Sequence, residues 1–233
     1  PASGRLRRRW QRRELRAVLE KFDDPPGSAY VFDSESCGRR ALKNAALQYL
    51  AAPGDALGPR AECLDRVRSA GNMTDQLAAL GALSSCDCPE RQQALDHFYD
   101  QWKEEELVML KWLGVQAGSN LPGNVANVRG LMQHPVFKMT NPNCCYSVVG
   151  GFAASPVNFH ARDGSGYTFV ADAVLEIDQI NAQVAARLVS AFTRWKLFDP
   201  ARQELMKAQL ERIVGTEGLS ENTYEIASKS LDA

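Results

Sequence analysis

The 233-residue sequence has little that would carry it across a membrane and little that would build a sheet. No apolar run approaches the ~20 residues that a membrane-spanning helix requires. Alternation of apolar and polar side chains never persists, so strands are not expected. A formal net charge of only −1 excludes a global attraction to nucleic acid or to an anionic membrane. Histidine is scarce, and His97 and His134 stand too far from other ligand types to suggest a metal site. The basic N-terminus lacks the apolar stretch of a secretory signal. The expectation is therefore a soluble, intracellular protein of the cytoplasm or an organelle. Pro1 is not an initiator Met, so the natural start is expected upstream.

Disulfides are not expected either, because six cysteines in a chain of this length, with no sign of secretion, do not form the framework of a small secreted domain. The spacings Cys86-Asp-Cys88 and Cys144-Cys145 are too close for structural zinc, which favours two to four intervening residues. Reduced, mostly buried thiols are the expected state of Cys37, Cys63, Cys86, Cys88, Cys144 and Cys145. No metal ligands are assigned.

What the chain does contain is helical spacing from end to end. Apolar residues recur at i, i+3 and i+4 throughout, within 45% hydrophobic and 24% charged residues, both ordinary for a globular protein. Residues 5–21 read as a basic amphipathic helix with Leu6, Leu15, Val18 and Leu19 on its apolar side, broken by the paired prolines that follow. A second helix over 34–50 is expected to turn Ala41, Leu42, Ala45, Ala46 and Leu50 inward, and another falls within 57–70. Asn72, Asn141, Asn181, Asp199 and Ser220 stand where helices need N-caps, and Pro89 suits a first helical position. The helix capped by Asn181 is expected to run on to Trp195 and end at Phe198 and Asp199. Start and stop signals of this kind give roughly ten to twelve short helices. The fold class expected is all-α, an α-solenoid or superhelix of short antiparallel helix pairs. One helical domain over 1–233 is expected, with a basic helix and loop at 1–24 and a repeat body at 25–233.

Charge is concentrated at one end. Arg5, Arg7, Arg8, Arg9, Arg12, Arg13 and Arg16 crowd into the first sixteen residues. They could hold a phosphate backbone, an anionic lipid or an acidic protein surface, or form a solvated helix face. His160, beside Arg162 and Asp163, is read as a loop histidine bonded to backbone, because no nucleophile-elbow serine accompanies it. Gly164, Ser165 and Gly166 follow no strand and precede no Gly-Lys-Ser/Thr, so they are read as the turn opening the next helix. Trp10, Trp102, Trp112 and Trp195 are assigned to the core.

Several segments in order carry a resemblance. RRALKNAALQYLA at 39–51, AGNMTDQLAAL at 70–80 and VMLKWLGVQA at 108–117 are followed by VRGLMQHPVFKMTNPN at 128–143. FHARDGSGY at 159–167 and VAARLVSAFTRWKLFDPARQELMKAQLERI at 184–213 complete the set. Together they resemble the C-terminal HEAT- or armadillo-like helical domain of the aminopeptidase N (alanyl aminopeptidase) family of zinc metallopeptidases. That family's zinc pattern, His-Glu-x-x-His with a distant Glu, is absent here. The resemblance implies a cap domain that shapes and restricts a peptide cavity, with no catalytic residue in this chain. Zinc in the intact family enzyme belongs to the catalytic domain, the implied partner within the same polypeptide.

Residue by residue, Gln183 and Arg187 match the family's Gln and Arg, one turn apart and presented to the cavity. Left to the residues alone, a structural ion pair with another helix is the favoured reading of Arg187; the resemblance brings the cavity-facing reading level with it. Where the family carries basic residues after NPN, this chain has Cys144 and Tyr146, which would make Tyr146 a neutral part of the wall. The alternative expectation is a non-catalytic helical scaffold derived from that domain and embedded in a larger assembly. In that reading the N-terminal arginines contact an acidic protein or nucleic acid.

Overall fold

The computed structural model describes residues 2–25, 27–52 and 58–232, with side chains from Gln11 onward. The side chains of Leu6, Trp10, Arg5, Arg7, Arg8 and Arg9 therefore lie outside the described residues. Every regular element among the described residues is helical, and none is a strand. The chain divides into two compact units, Pro1–Lys103 and Glu104–Ala233.

The first unit holds α1 (Ala2–Phe22), α2 (Ser34–Leu50), α3 (Arg60–Ser69), α4 (Met73–Ser84) and α5 (Pro89–Trp102). Helix α2 packs on α1 and α4, while α3 packs on α4 and α5. Leu19, Leu47, Leu50, Val67, Leu80, Leu83, Leu95 and Phe98 form the buried core. The Asn72 side chain accepts from the Asp75 amide at 3.0 Å and caps α4 as its position predicts.

Helix α2 corrects the sequence expectation. Ala41, Leu42 and Ala45 face solvent, while Arg40, Lys43 and Asn44 are buried beside Ala46, Leu47 and Leu50. The physical reason is a charge network. The Lys43 side chain is only 3% exposed, and its Nζ lies 3.1 Å from Asp23, 3.6 Å from Asp24 and 3.0 Å from Asp75. Asn44 donates to Asp75 at 2.8 Å, and Arg66 reaches both Asp23 oxygens at 2.7 and 3.1 Å. A buried ammonium is tolerable only when paired in this way, so these partners outweigh the apolar stripe in setting the helix rotation.

The second unit holds α6 (Glu106–Ala117), α7 (Val125–Met132) and α8 (Pro142–Cys145), which continues through a π-helical turn, Tyr146–Gly150, into α9 (Gly151–Ala153). It then runs through α10 (Pro156–Phe159), α11 (Ser165–Asp178), α12 (Ala182–Val189), α13 (Pro200–Val214) and α14 (Glu221–Asp232). Helix α11 is the centre. Its Tyr167, Phe169, Val170, Val174 and Ile177 are fully or almost fully enclosed, with α10, α12 and α13 packed against it. At its end the buried Asp178 carboxylate accepts from the Ser220 amide, the Ser220 hydroxyl and the Thr223 hydroxyl at 2.5–2.8 Å. That cluster ties the start of α14 to the end of α11.

Gly164 opens α11 with φ of 74°, and a Cβ at Gly166 would sit 2.2 Å from the Asn158 carbonyl oxygen and 2.5 Å from that of Phe159. Only hydrogen fits there. The caps at Asn141, Asn181, Asp199 and Ser220 form as the sequence suggests. Helix α12, in contrast, stops at Val189, and two short 3₁₀ turns, Ser190–Phe192 and Trp195–Leu197, replace the expected continuation. The Ser190 hydroxyl donates to the Arg187 carbonyl at 2.5 Å and the Thr193 hydroxyl to the Ser190 carbonyl at 2.9 Å, competing with the α-helical pattern. His160 also departs from expectation. Its Nδ1 lies 2.8 Å from the Tyr167 hydroxyl rather than on backbone.

Gly166→Ala should destabilise the protein by about 2–4 kcal/mol, because the added methyl meets backbone that cannot move aside. Urea unfolding checks this. Lys43→Ala should cost about 2 kcal/mol, less than a fully buried pair because its partners are partly solvated. At Asp23 and Asp75 burial opposes the carboxylate, but hydrogen bonds from Arg66, Lys43 and the asparagines outweigh it and lower both pKa values. Their contribution is complete above the ordinary carboxylate value near about 3.9 and is lost as pH falls through the depressed values. The variant should therefore show a shallower loss of stability below about pH 4 in acid titration.

Candidate functional site

The site lies in the second unit, where the π-helical turn runs between α6 and α12. A π turn inserts an extra residue into the helical pattern and changes the direction in which the following side chains point. The turn packs on both neighbours at ordinary van der Waals distance. A Cβ on Gly151 would lie 3.5 Å from the Ala117 Cβ, and one on Gly150 would lie 3.8 Å from Leu188 Cδ2. With the turn held in this way, the Tyr146 ring meets the Arg187 guanidinium on α12, which lies 4.7 Å from the ring centroid. Gln183, four residues earlier on α12, is exposed, as is Arg187. Spacing of four places both on one helix face.

Arg187 makes no ion pair among the described residues, so the structural alternative considered from sequence does not occur there. Its charge is held on an aromatic face, and a guanidinium seated there keeps N–H donors that can serve an acceptor. The structure thus brings Tyr146 and Arg187 together and sets Gln183 one turn away. Cys144, the other position singled out after NPN, is buried, with Sγ directed at the Val136 carbonyl oxygen at 3.9 Å. It belongs to the interior, as expected of a buried thiol.

The remaining candidates separate. Arg16 is paired with Glu62 at 2.5 Å, Arg12 is half-buried, and Arg13 is exposed. All six cysteines are free thiols. Burial pushes Cys63 up to about 12 and, with the neighbouring Cys144, Cys145 up to about 11, so neither ionises near neutrality. Burial, followed by the Arg202 charge, lowers the pKa of His160, while burial raises Tyr167 to about 12. That pair stays neutral inside an aromatic cluster with Phe159 and Phe192. Among the described residues no group of three or more His, Cys, Asp or Glu side chains could hold a metal ion. No helix among them is long and apolar enough to cross a membrane.

One feature escaped the sequence reading. The first unit contains a cavity of about 810 Å³ beside the Lys43 network, walled in part by Asp24, Tyr30, Arg39, Arg40 and Asp65. The only signal was the Lys43-Asn44 pair set among apolar residues, which a purely periodic reading assigns to solvent.

All-helical architecture and this packing define a class, the ARM-repeat domains. The family described as a domain of unknown function (DUF3458_C) with ARM repeats matches residues 5–232, and the chain belongs to it. It is 40% identical over 205 residues to aminopeptidase N of Escherichia coli (strain K12), an alignment covering 88% of this chain and 23% of that protein. Identity to aminopeptidase N of Caulobacter vibrioides is 41% over 204 residues, covering 85% of this chain and 23% of the relative. The crystal structure of Legionella pneumophila aminopeptidase A in complex with aspartic acid superposes with a TM-score of 0.84 at 30% identity, over 97% of this chain and 28% of that one. The chain corresponds to the C-terminal helical domain of aminopeptidase N and spans 23% of the length of those relatives.

If the Arg187–Tyr146 pair serves a ligand and not the fold, Arg187→Ala should change the unfolding free energy by no more than about 1 kcal/mol, the size of an exposed cation–π contact. Chemical denaturation of the purified chain measures this directly.

Proposed function

We propose that this chain is the helical cap of a zinc aminopeptidase, restricting access to a peptide cavity and supplying no catalytic residue itself. Arg187 is the observation that carries the reading: an exposed guanidinium with no carboxylate partner among the described residues, seated on Tyr146. Such a group can hold a peptide carboxylate or carbonyl through paired hydrogen bonds, and Gln183 adds a neutral donor and acceptor one turn away. Support also comes from relatives named aminopeptidase N and from a similar structure bound to aspartic acid.

The residues present here do not fit zinc, since no sufficient ligand group occurs among those described. Metal binding and attack on the peptide bond are therefore assigned to a catalytic domain of the same polypeptide, in a soluble, intracellular enzyme. This chain binds, orients and excludes. A second reading, a non-catalytic scaffold within a larger assembly, is favoured by Tyr146 standing where the resemblance implies a basic residue. In that reading the basic segment, in which Arg13 is exposed, faces an acidic protein or nucleic acid.

In the full-length polypeptide, Arg187→Ala should raise KM for short peptides about tenfold, roughly 1.4 kcal/mol, with kcat nearly unchanged. Unchanged kinetics would remove Arg187 from the cavity and favour the scaffold. The purified 233-residue chain should not hydrolyse alanyl reporter substrates.

A further inference from the structure

The cavity in the first unit is walled by the 23–31 connection, α2, α3 and the start of α4. Among the described residues nine charged side chains line it, five acidic and four basic. Seven of them are paired: Lys43 with Asp23, Asp24 and Asp75, Arg66 with Asp23 and Glu62, and Arg39 with Asp24 at 3.0 Å. The two left over carry opposite charge. Asp65 is exposed, and its carboxylate makes no ion pair or hydrogen bond among the described residues. Arg40 is only 4% exposed, yet no carboxylate among those residues pairs with it. Asp33 feels that charge without forming an ion pair, and its carboxylate instead accepts from the Ser36 amide at 2.7 Å as the cap of α2.

Arg40 Nη2 donates to the Val31 carbonyl at 2.9 Å and approaches Cys37 Sγ at 3.6 Å, and the guanidinium lies 4.8 Å from the Tyr30 ring centroid. Nε and Nη1 have no acceptor among the described residues. No enclosed side-chain nitrogen or oxygen among those residues lacks a partner, so these two nitrogens open onto the cavity that Arg40 lines. A guanidinium this buried is costly without a counter-charge, which makes the space beside it a place for an anionic group. A phosphate or nucleotide is the wrong anion, because the wall holds one more carboxylate than cations and repels multiple negative charge. A simple cation would leave Arg40 unpaired. We propose that this cavity binds a small zwitterion, a free amino acid or short peptide, with its carboxylate on Arg40 and its ammonium on Asp65. Two adjacent guanidinium nitrogens suit a carboxylate through paired hydrogen bonds. The volume of about 810 Å³ lies within the roughly 300–1,000 Å³ of pockets that enclose small ligands, and Ala29, Tyr30 and Leu47 supply apolar wall for side chains. The inference is independent of the cap reading, because no residue of α12 or of the π turn takes part.

Isothermal titration calorimetry on the 233-residue chain tests this with tri-L-alanine as the probe, in samples whose circular dichroism is helical. One molecule should bind per chain. Acetylating the amine of the probe, or converting its carboxylate to the amide, should each weaken binding at least tenfold. Asp65→Asn, a change at an exposed position, should weaken tri-L-alanine severalfold and leave the acetylated probe unaffected. Arg40→Gln should weaken tri-L-alanine at least tenfold; where that variant does not fold, the probe series and Asp65→Asn decide the matter. L-Alanine distinguishes the source. Tighter binding of the tripeptide assigns a peptide and equal or tighter binding of L-alanine a free amino acid, and both outcomes sustain the inference. Absence of binding by both overturns it, as does equal affinity for the capped probes. Displacement of tri-L-alanine by inorganic phosphate at equal concentration also overturns it and makes the cavity a plain anion site. Arg187→Ala should leave binding unchanged. Loss of binding in that variant overturns the inference and places the probe on α12, whereas failure of the cap reading by itself moves none of these readouts.

Discussion

The first unit turns on one buried ammonium. Lys43 lies inside the helical layers, where an unpaired charge would be prohibitive, and Asp23, Asp24 and Asp75 converge on it from the α1–α2 connection and from the first turn of α4. Pairing of this kind is not worth much as net stability, because desolvation offsets most of the attraction. Its effect is orientation. Satisfying Lys43 and Asn44 together sets the rotation of α2 about its axis, and every other residue of the helix follows. Leu47 and Leu50 go inward with them, and Leu42 and Tyr49 go out.

The second unit is organised by space and not by charge. Gly166 lets α11 approach the α10 backbone, and the π turn packs against α6 and α12. Side chains that close to backbone leave little room for alternative packings. The candidate site follows from this arrangement. Tyr146 is the first residue of the π turn, and its ring supports the guanidinium of Arg187 on the neighbouring helix. A cation held over a ring loses less freedom on binding an anion than a free arginine would, which suits a recognition role. The two regions are chemically separate: one holds a cation over an aromatic ring, the other exposes an uncharged helix face.

Local signals were legible wherever the outcome depends on a few consecutive residues. Asn72, Asn141, Asn181, Asp199 and Ser220 cap helices as expected, because a capping side chain acts on an amide two or three residues away. The turn at Gly164 was equally readable, since it requires a positive φ. Gln183 and Arg187 share a face by spacing alone. The ring beneath Arg187 was not readable, because Tyr146 lies 41 positions away in the sequence and reaches it only through the π turn.

The misreadings have the same origin. Ala41, Leu42 and Ala45 looked like a core stripe, because periodicity ranks residues by polarity without knowing their partners. By itself the sequence determined the all-helical class, the helix starts and the resemblance to the aminopeptidase N helical domain, all of which rest on local chemistry or on ordered motifs. The tertiary structure alone decided which way α2 faces and what Arg187 rests upon. Each of these is settled by residues distant in sequence, whose pairing energy exceeds the weak preference of any single side chain for water or for the interior.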